Sequence, residues 1–148
     1  MVIGIMGENC TGKSTLADEL KNALGAKVFS GRDYLRLAKS EPEAGRLFAE
    51  KLKNALNGEN IIYVITEKEL VGLLPEGAVR ILVTADIDTI KARFRERMHG
   101  VLPPPVEAML EKKHGSFDAL LHDYHFDGVN GDAKELSEEL IKKYGKGC

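Results

Sequence analysis

The sequence predicts an α/β protein, a three-layer α/β/α arrangement built on a five-stranded parallel sheet. Short, fully apolar runs of the kind that buried parallel strands require alternate with segments of helical period. The stretches between those runs are long enough to carry the crossovers that parallel neighbours demand. The 148 residues are 43% hydrophobic and 30% charged, which suits a single domain, residues 1–148, with one core.

The elements follow in chain order. Val2 to Met6 is an apolar run and the first strand. From Lys13 to Leu24, Leu16, Ala17, Leu20, Ala23 and Leu24 recur at helical spacing, and Gly25 supplies the stop. Lys27 to Phe29 is a second short strand, and Asp33 to Lys39 and Pro42 to Asn57 read as helices, the latter with Pro42 in its first turn. Ile61 to Ile65 is the clearest strand. Thr66 and Glu69 have the spacing of a capping box, which predicts a short helix running to Leu74. Val79 to Val83 is the fourth strand, and Asp88 to Met98 a helix with Ile90, Phe94 and Met98 on one face. Three consecutive prolines, Pro103 to Pro105, exclude a helix interior, so the next helix is expected from Val106 to His114. A further turn or two from Ser116 to Leu121, a strand from Tyr124 to Val129 and an amphipathic helix from Lys134 to Tyr144 complete the chain.

Composition removes several classes of function. A formal net charge of -2 provides no overall field toward nucleic acid or a membrane surface. No apolar run approaches the roughly 18 residues of a membrane span, and the opening segment lacks the basic flank of a signal peptide. Cys10 and Cys148 form no disulfide framework. A cytoplasmic, enzyme-sized domain is the expectation, working as a monomer or homodimer on a small molecule.

The chemistry concentrates in Gly7-Glu8-Asn9-Cys10-Thr11-Gly12-Lys13-Ser14, a Gly, four residues, then Gly-Lys-Ser, between the first strand and the first helix. In that context backbone N–H groups of the turn and of the helix N-terminus converge on phosphate oxygens. Gly7, Asn9, Cys10, Thr11, Gly12, Lys13, Ser14 and Thr15 are therefore the candidate nucleotide-binding residues. Lys13 would meet the β- and γ-phosphates, and the Ser14 hydroxyl would be a ligand of Mg²⁺. Cys10 has no histidine near it in sequence to act as a base, and reads as a small residue filling one of the four free positions. The Asn-Lys-x-Asp and Asp-x-x-Gly strings of a GTPase are missing.

These residues resemble the opening of the P-loop nucleoside monophosphate kinases and shikimate kinases. Ser30-Gly31-Arg32-Asp33-Tyr34-Leu35-Arg36 is similar to the adenylate kinase segment that grips the acceptor monophosphate. Ala85-Asp86, Arg93 and Arg97 resemble the strand-four exit and the lid-flanking arginines of the same group, and Asn130-Gly131-Asp132 the base-side loop of guanylate kinases. The resemblance implies a P-loop kinase domain with a short lid at about 97–106. It implies ATP and Mg²⁺, with Arg97, Arg93 and Lys13 serving the transferred charge, Asn130 near the base, and Arg32, Asp33 and Arg36 at the acceptor. Arginine suits the task because its planar fork pairs with phosphate oxygens. Asp33 either orients an acceptor hydroxyl, as shikimate kinase implies, or caps the helix that begins there.

The departures are equally definite. Thr66-Glu67-Lys68-Glu69 stands where adenylate kinases carry Asp-Gly-Phe-Pro-Arg, so Glu67 is either a stand-in near the metal or part of the capping box. No arginine follows Arg97, leaving Lys112 and Lys113 as point-charge substitutes. His99, His114, His122 and His125 show no metal-ligand spacing. The leading expectation is ATP-dependent phosphorylation of a nucleoside monophosphate. Phosphorylation of a small hydroxyl acceptor, or nucleotide binding with little catalysis, are the alternatives.

Overall fold

Hydrophobic alternation within each central strand decides how the layers form. In the computed structural model, which describes residues 1–144, the strands are β1 (Val2–Met6), β2 (Lys27–Ser30), β3 (Ile61–Ile65), β4 (Val79–Thr84) and β5 (Tyr124–Asp127). All pair in parallel, in the order β2-β3-β1-β4-β5. The helices are α1 (Lys13–Leu24), α2 (Glu41–Ala55), α3 (Ile87–Arg97), α4 (Pro104–Lys113) and α5 (Ala133–Tyr144). Val2, Met6, Ile61, Tyr63, Ile65 and Leu82 face one side and pack with Ala44, Phe48, Leu52 and Ala55 of α2. Ile3, Ile5, Ile62, Val64, Ile81 and Val83 face the other and pack with Leu16 and Leu20 of α1 and Leu136 and Leu140 of α5. Two apolar faces on one sheet require two helical layers, and the α/β/α arrangement expected above results.

Phe48 is the hub of the α2 layer. Its ring lies 4.9 Å from that of Tyr63, edge to face, and 5.6 Å from that of Tyr34, stacked. The Tyr63 hydroxyl donates to the Gly31 carbonyl at 2.7 Å, which fixes the turn leaving β2 against the middle of the sheet. A third, smaller core joins Cys10, Ala85, Ile90 and Leu110 with Phe94, Val106 and Met109, and seats the α3–α4 pair over the turn after β1. Both sheet edges, β2 and β5, are only four residues long.

Three local expectations need correcting. The helix expected at Asp33–Lys39 is a 3₁₀ turn, Asp33–Leu37. The capping box does not form: the segment after β3 is a 3₁₀ helix, Lys68–Leu73, whose N-cap is Glu67 and has no side-chain cap bond. A capping box requires regular α geometry at N3, and this short 3₁₀ turn starts too late for Thr66 to reach. α4 begins at Pro104, earlier than Val106, because Pro104 and Pro105 occupy first-turn positions whose amides have no helical partner to lose. At the start of α3, Asp86 is the cap: its carboxylate accepts from the Thr89 amide at 3.0 Å and the Thr89 hydroxyl at 2.7 Å, and these bonds hold it below the usual carboxylate range. Cys10 is a free, buried thiol, whereas Cys148 lies outside the described residues. Among the described residues no helix is long and apolar enough to cross a membrane.

Truncating Phe48 to Ala removes the ring that Phe29, Tyr34 and Tyr63 pack against, and is expected to cost about 3–5 kcal/mol of stability. Urea denaturation would read the loss, and a cost under about 1 kcal/mol would contradict this account of the core.

Candidate active site

The carboxyl ends of β1, β3 and β4 converge where the chain turns from β1 into α1. Gly12 caps α1 with φ at 104°, a left-handed conformation that a side chain would strain. No side chain caps this terminus. Among the described residues the amides of Gly12, Lys13 and Ser14 donate to no backbone carbonyl, so they stay directed at the cleft together with the positive end of the helix dipole. Cys10 is also left-handed, at φ 62°. Its side chain is buried against the α3–α4 core, so it shapes the loop as a small residue.

The loop is held from two directions. Arg93, on α3, donates from Nη1 to the Cys10 carbonyl and from Nη2 to the Gly128 carbonyl, each at 3.0 Å. It bridges the turn after β1 to the turn after β5. Gly128 approaches so closely that a Cβ there would lie 1.5 Å from the Thr11 carbonyl oxygen. On the opposite side, Thr11 Oγ1 donates to the Glu8 carbonyl at 3.0 Å, and Lys13 Nζ donates to the same oxygen. Burial is the main reason that the Lys13 ammonium falls to about 8, and the Arg97 charge lowers it further. A polyanion in the cleft would reverse both effects.

Three cavities meet here. A pocket of about 120 Å³ lies over the amides, lined by Asn9, Lys13, Ser14, Thr66 and Arg97, among others. A second, of about 390 Å³, runs between Gly12, Thr15, Arg93, Arg97, Phe126 and Gly131. The third and largest of these, about 610 Å³, opens on the other side of the loop, lined by Glu8, Asn9, Thr66 to Glu69, Leu110, Lys113, Ser116 and Phe117. The small pocket, with its amides and two cations, presents the donors and positive charge that an oxyanion would require. Ser14 offers a hydroxyl there, with those of Ser30 and Thr66 in the same lining. These are hard oxygen donors, suited to a Mg²⁺ ion that takes most of its ligands from water and phosphate. Among the described residues no His, Cys, Asp and Glu cluster makes an all-protein metal cage.

The other sequence candidates are distributed unevenly. Arg97 lines both the small pocket and the Phe126 cavity, whereas Arg93 spends its fork on carbonyls. Asn130 is exposed; its amide donates to the Asp127 carboxylate at 3.2 Å, beside the Val129 amide at 2.8 Å, as in an ordinary Asx turn. Asp33 accepts from the Ser30 amide at 2.9 Å and so braces the turn after β2 rather than capping a helix. Arg32 is committed to Glu67 at 2.8 Å, Glu41 at 3.1 Å and Glu69 at 3.7 Å. Arg36 is exposed and does not line the 610 Å³ cavity. Lys113 does, as does Lys68, which sequence reasoning passed over along with Phe117 and Glu8. Only the position of Gly128, directly after a strand at the ligand-binding edge, carried a signal that sequence reasoning left unused.

No family model and no curated protein sequence matches the chain; the likeness lies in solved structures. Shikimate kinase from Acinetobacter baumannii, in complex with shikimate, is 15% identical with a TM-score of 0.62, covering 95% of this chain and 90% of that one. A gluconokinase from Sinorhizobium meliloti 1021 is 13% identical with a TM-score of 0.58, covering 95% and 89%. Deoxyadenosine kinase from M. mycoides is 19% identical with a TM-score of 0.57, covering 97% and 98%. The chain therefore has the fold of the P-loop kinases.

Two outcomes follow from the site geometry. A nucleoside triphosphate held over the loop would need the charged lysine, so above pH 8 a proton would first have to be taken up. Affinity is expected to fall by about tenfold between pH 7 and pH 9, with net proton uptake on binding; calorimetry in buffers of different ionisation enthalpy measures both, and a flat profile would contradict the burial of Lys13. Gly128→Ala cannot keep its approach to Thr11, and is expected to weaken triphosphate binding by at least about tenfold while far-UV circular dichroism stays unchanged.

Proposed function

We propose that this protein is an ATP-dependent small-molecule kinase, acting through a single kinase domain over residues 1–148. The observation that carries the reading is the small pocket: open amides at the start of α1, Lys13, Ser14 and Arg97 around one volume, flanked by a larger cavity on either side. The Phe126 cavity suits the nucleoside of the donor, since an aromatic ring lines it and it adjoins the turn after β5. The Phe117 cavity suits the acceptor. The kinase fold found in the solved structures supports the same assignment.

Phosphoryl transfer needs alignment and charge compensation more than covalent help from the protein. The loop amides would hold the β- and γ-phosphate oxygens, and Lys13, with one N–H resting on the Glu8 carbonyl, would turn its other two toward them. The bond between the γ-phosphorus and the bridging oxygen breaks, ADP departs, and an acceptor oxygen takes the phosphoryl group. Arg97 stabilises the charge that spreads over the transferred oxygens. Bound through Ser14, Mg²⁺ would add neutralising charge across the phosphates. Residues 97–106, the end of α3, the link and the first turn of α4, serve as the short lid that keeps water from competing. Arg93 acts as a brace for the loop. The near-neutral charge of the chain suits a small-molecule substrate rather than a nucleic acid, and the cytoplasm, where ATP is abundant, is its place of work.

For the acceptor, the cavity favours a hydroxyl-bearing small molecule over a nucleoside monophosphate. The monophosphate reading needs a free arginine fork, yet Arg32 is ion-paired and Arg36 stands outside the cavity lining. Asp33, like Arg36, lies outside that lining and is held by the Ser30 amide, so the hydroxyl proton passes to an oxygen of the transferred phosphoryl group or to solvent at the open mouth. The fold neighbours act on hydroxyl acceptors in two cases by name, shikimate and gluconate, and the third was solved with dCMP and dCDP.

Mg·ATP should bind the wild-type chain in calorimetry, and Lys13→Met should lower ADP release by at least about a hundredfold with its melting temperature kept. ADP release screened over sugars, hydroxy acids, nucleosides and nucleoside monophosphates selects the acceptor. Turnover on monophosphates alone would overturn the hydroxyl reading, and failure to bind Mg·ATP would overturn the kinase.

A further inference from the structure

Glu8 is the one charged residue of the phosphate-binding turn that the proposed mechanism leaves without a task, and it is buried, at 8% exposure. Both ends of this residue are engaged, on different parts of the molecule. Its carboxylate accepts from the Gly115 amide at 2.9 Å and meets His114 Nδ1 at 3.1 Å, at the C-terminal end of α4. Its carbonyl oxygen receives the Thr11 hydroxyl and Lys13 Nζ. The peptide plane on which the lysine rests is thus anchored through the side chain of the same residue to the segment 114–115. That segment continues into Ser116 and Phe117, which with Lys113 and Glu8 itself form one wall of the 610 Å³ cavity.

We infer that Glu8 is a positioning residue that couples the 113–117 wall of the acceptor cavity to the resting place of Lys13. The inference rests on the kinase reading of the site. A wall movement of a few tenths of an ångström, such as an acceptor would cause, is transmitted through two hydrogen bonds to the carbonyl that holds the ammonium. A buried carboxylate stripped of those partners would have to be desolvated without compensation, so the linkage is stiff. Lys13 accordingly meets the phosphates from a place set by the acceptor side. Positive coupling between Mg·ATP and the wall is the thermodynamic consequence.

A double-mutant cycle on Mg·ATP affinity tests this without knowledge of the acceptor. Calorimetry is run on wild type, Glu8→Ala, His114→Ala and the double variant, with Glu8→Gln as the conservative replacement and a melting curve for each. Glu8→Ala is expected to weaken Mg·ATP by about five- to tenfold, and His114→Ala by about two- to threefold. The double variant should be no weaker than Glu8→Ala, because the histidine acts through the glutamate. Glu8→Gln, whose amide oxygen still accepts from Gly115, should recover most of the affinity. Additive losses, or lowered melting temperatures with wild-type affinity, would reduce Glu8 to a structural residue and overturn the inference. Should Glu8→Ala fail to fold, Glu8→Leu, which fills the buried space but accepts no hydrogen bond, takes its place in the cycle, with His114→Ala losing affinity only beside an intact Glu8. Absence of Mg·ATP binding by the wild-type chain would remove the kinase reading, and the coupling with it, whereas wild-type binding with an indifferent Glu8 would remove the coupling alone.

Discussion

A row of peptide amides can bind phosphate only if it is left without partners and yet does not move. Those requirements conflict, because unpartnered backbone is the part of a protein most ready to rearrange. Here the conflict is resolved by fixing the carbonyls on the far side of the turn. Arg93 takes the Cys10 carbonyl, Thr11 and Lys13 take that of Glu8, and Gly128 presses on Thr11. Each restraint comes from a different element: α3, the loop itself, and the exit of β5. The site therefore depends on the whole carboxyl edge of the sheet being assembled in the order that sets β4 beside β1 and β5 beyond it.

The same restraint accounts for the uneven behaviour of the arginines. Arg93 and Arg97 lie four residues apart on α3, and from spacing alone they share one face. In the fold the first is turned toward protein carbonyls and the second toward the cleft. A guanidinium serves either purpose equally well, since its fork matches paired carbonyls as it does phosphate oxygens. Arg32 shows a third use, holding Glu41, Glu67 and Glu69 together at the mouth of the larger cavity.

Strand identity and order of elements were legible in the sequence because the central strands are continuous apolar runs, and the turn after β1 because its glycines and lysine have a demanding spacing. The 3₁₀ segments at Asp33 and Lys68 were not legible as such. Residue types that start an α-helix also start a 3₁₀ turn, and tertiary packing decides between them. The large cavity beside the loop was least legible. Expectation gathered around Arg32, Asp33 and Arg36 because they are charged and close in sequence, while the wall of that cavity is assembled from Glu8, Lys68, Lys113 and Phe117, residues from opposite ends of the chain. Such a set has no local pattern. Glu8 in particular sits at one of the four free positions of the loop, where a consensus string is silent, and its partners follow α4.

The short outer strands have a bearing on how the chain behaves in a crowded solution. β2 begins with Lys27, paired to Glu59 at 3.3 Å, and β5 presents His125 and Asp127 outward. Four-residue rims studded with ionic groups are poor templates for recruiting strands from neighbouring molecules. The long, greasy segments that would stack most readily into fibrils are β1, β3 and β4, and all three are shielded between partners. Resistance to self-association is thus built into the same strand order that brings the turn after β1 to the centre.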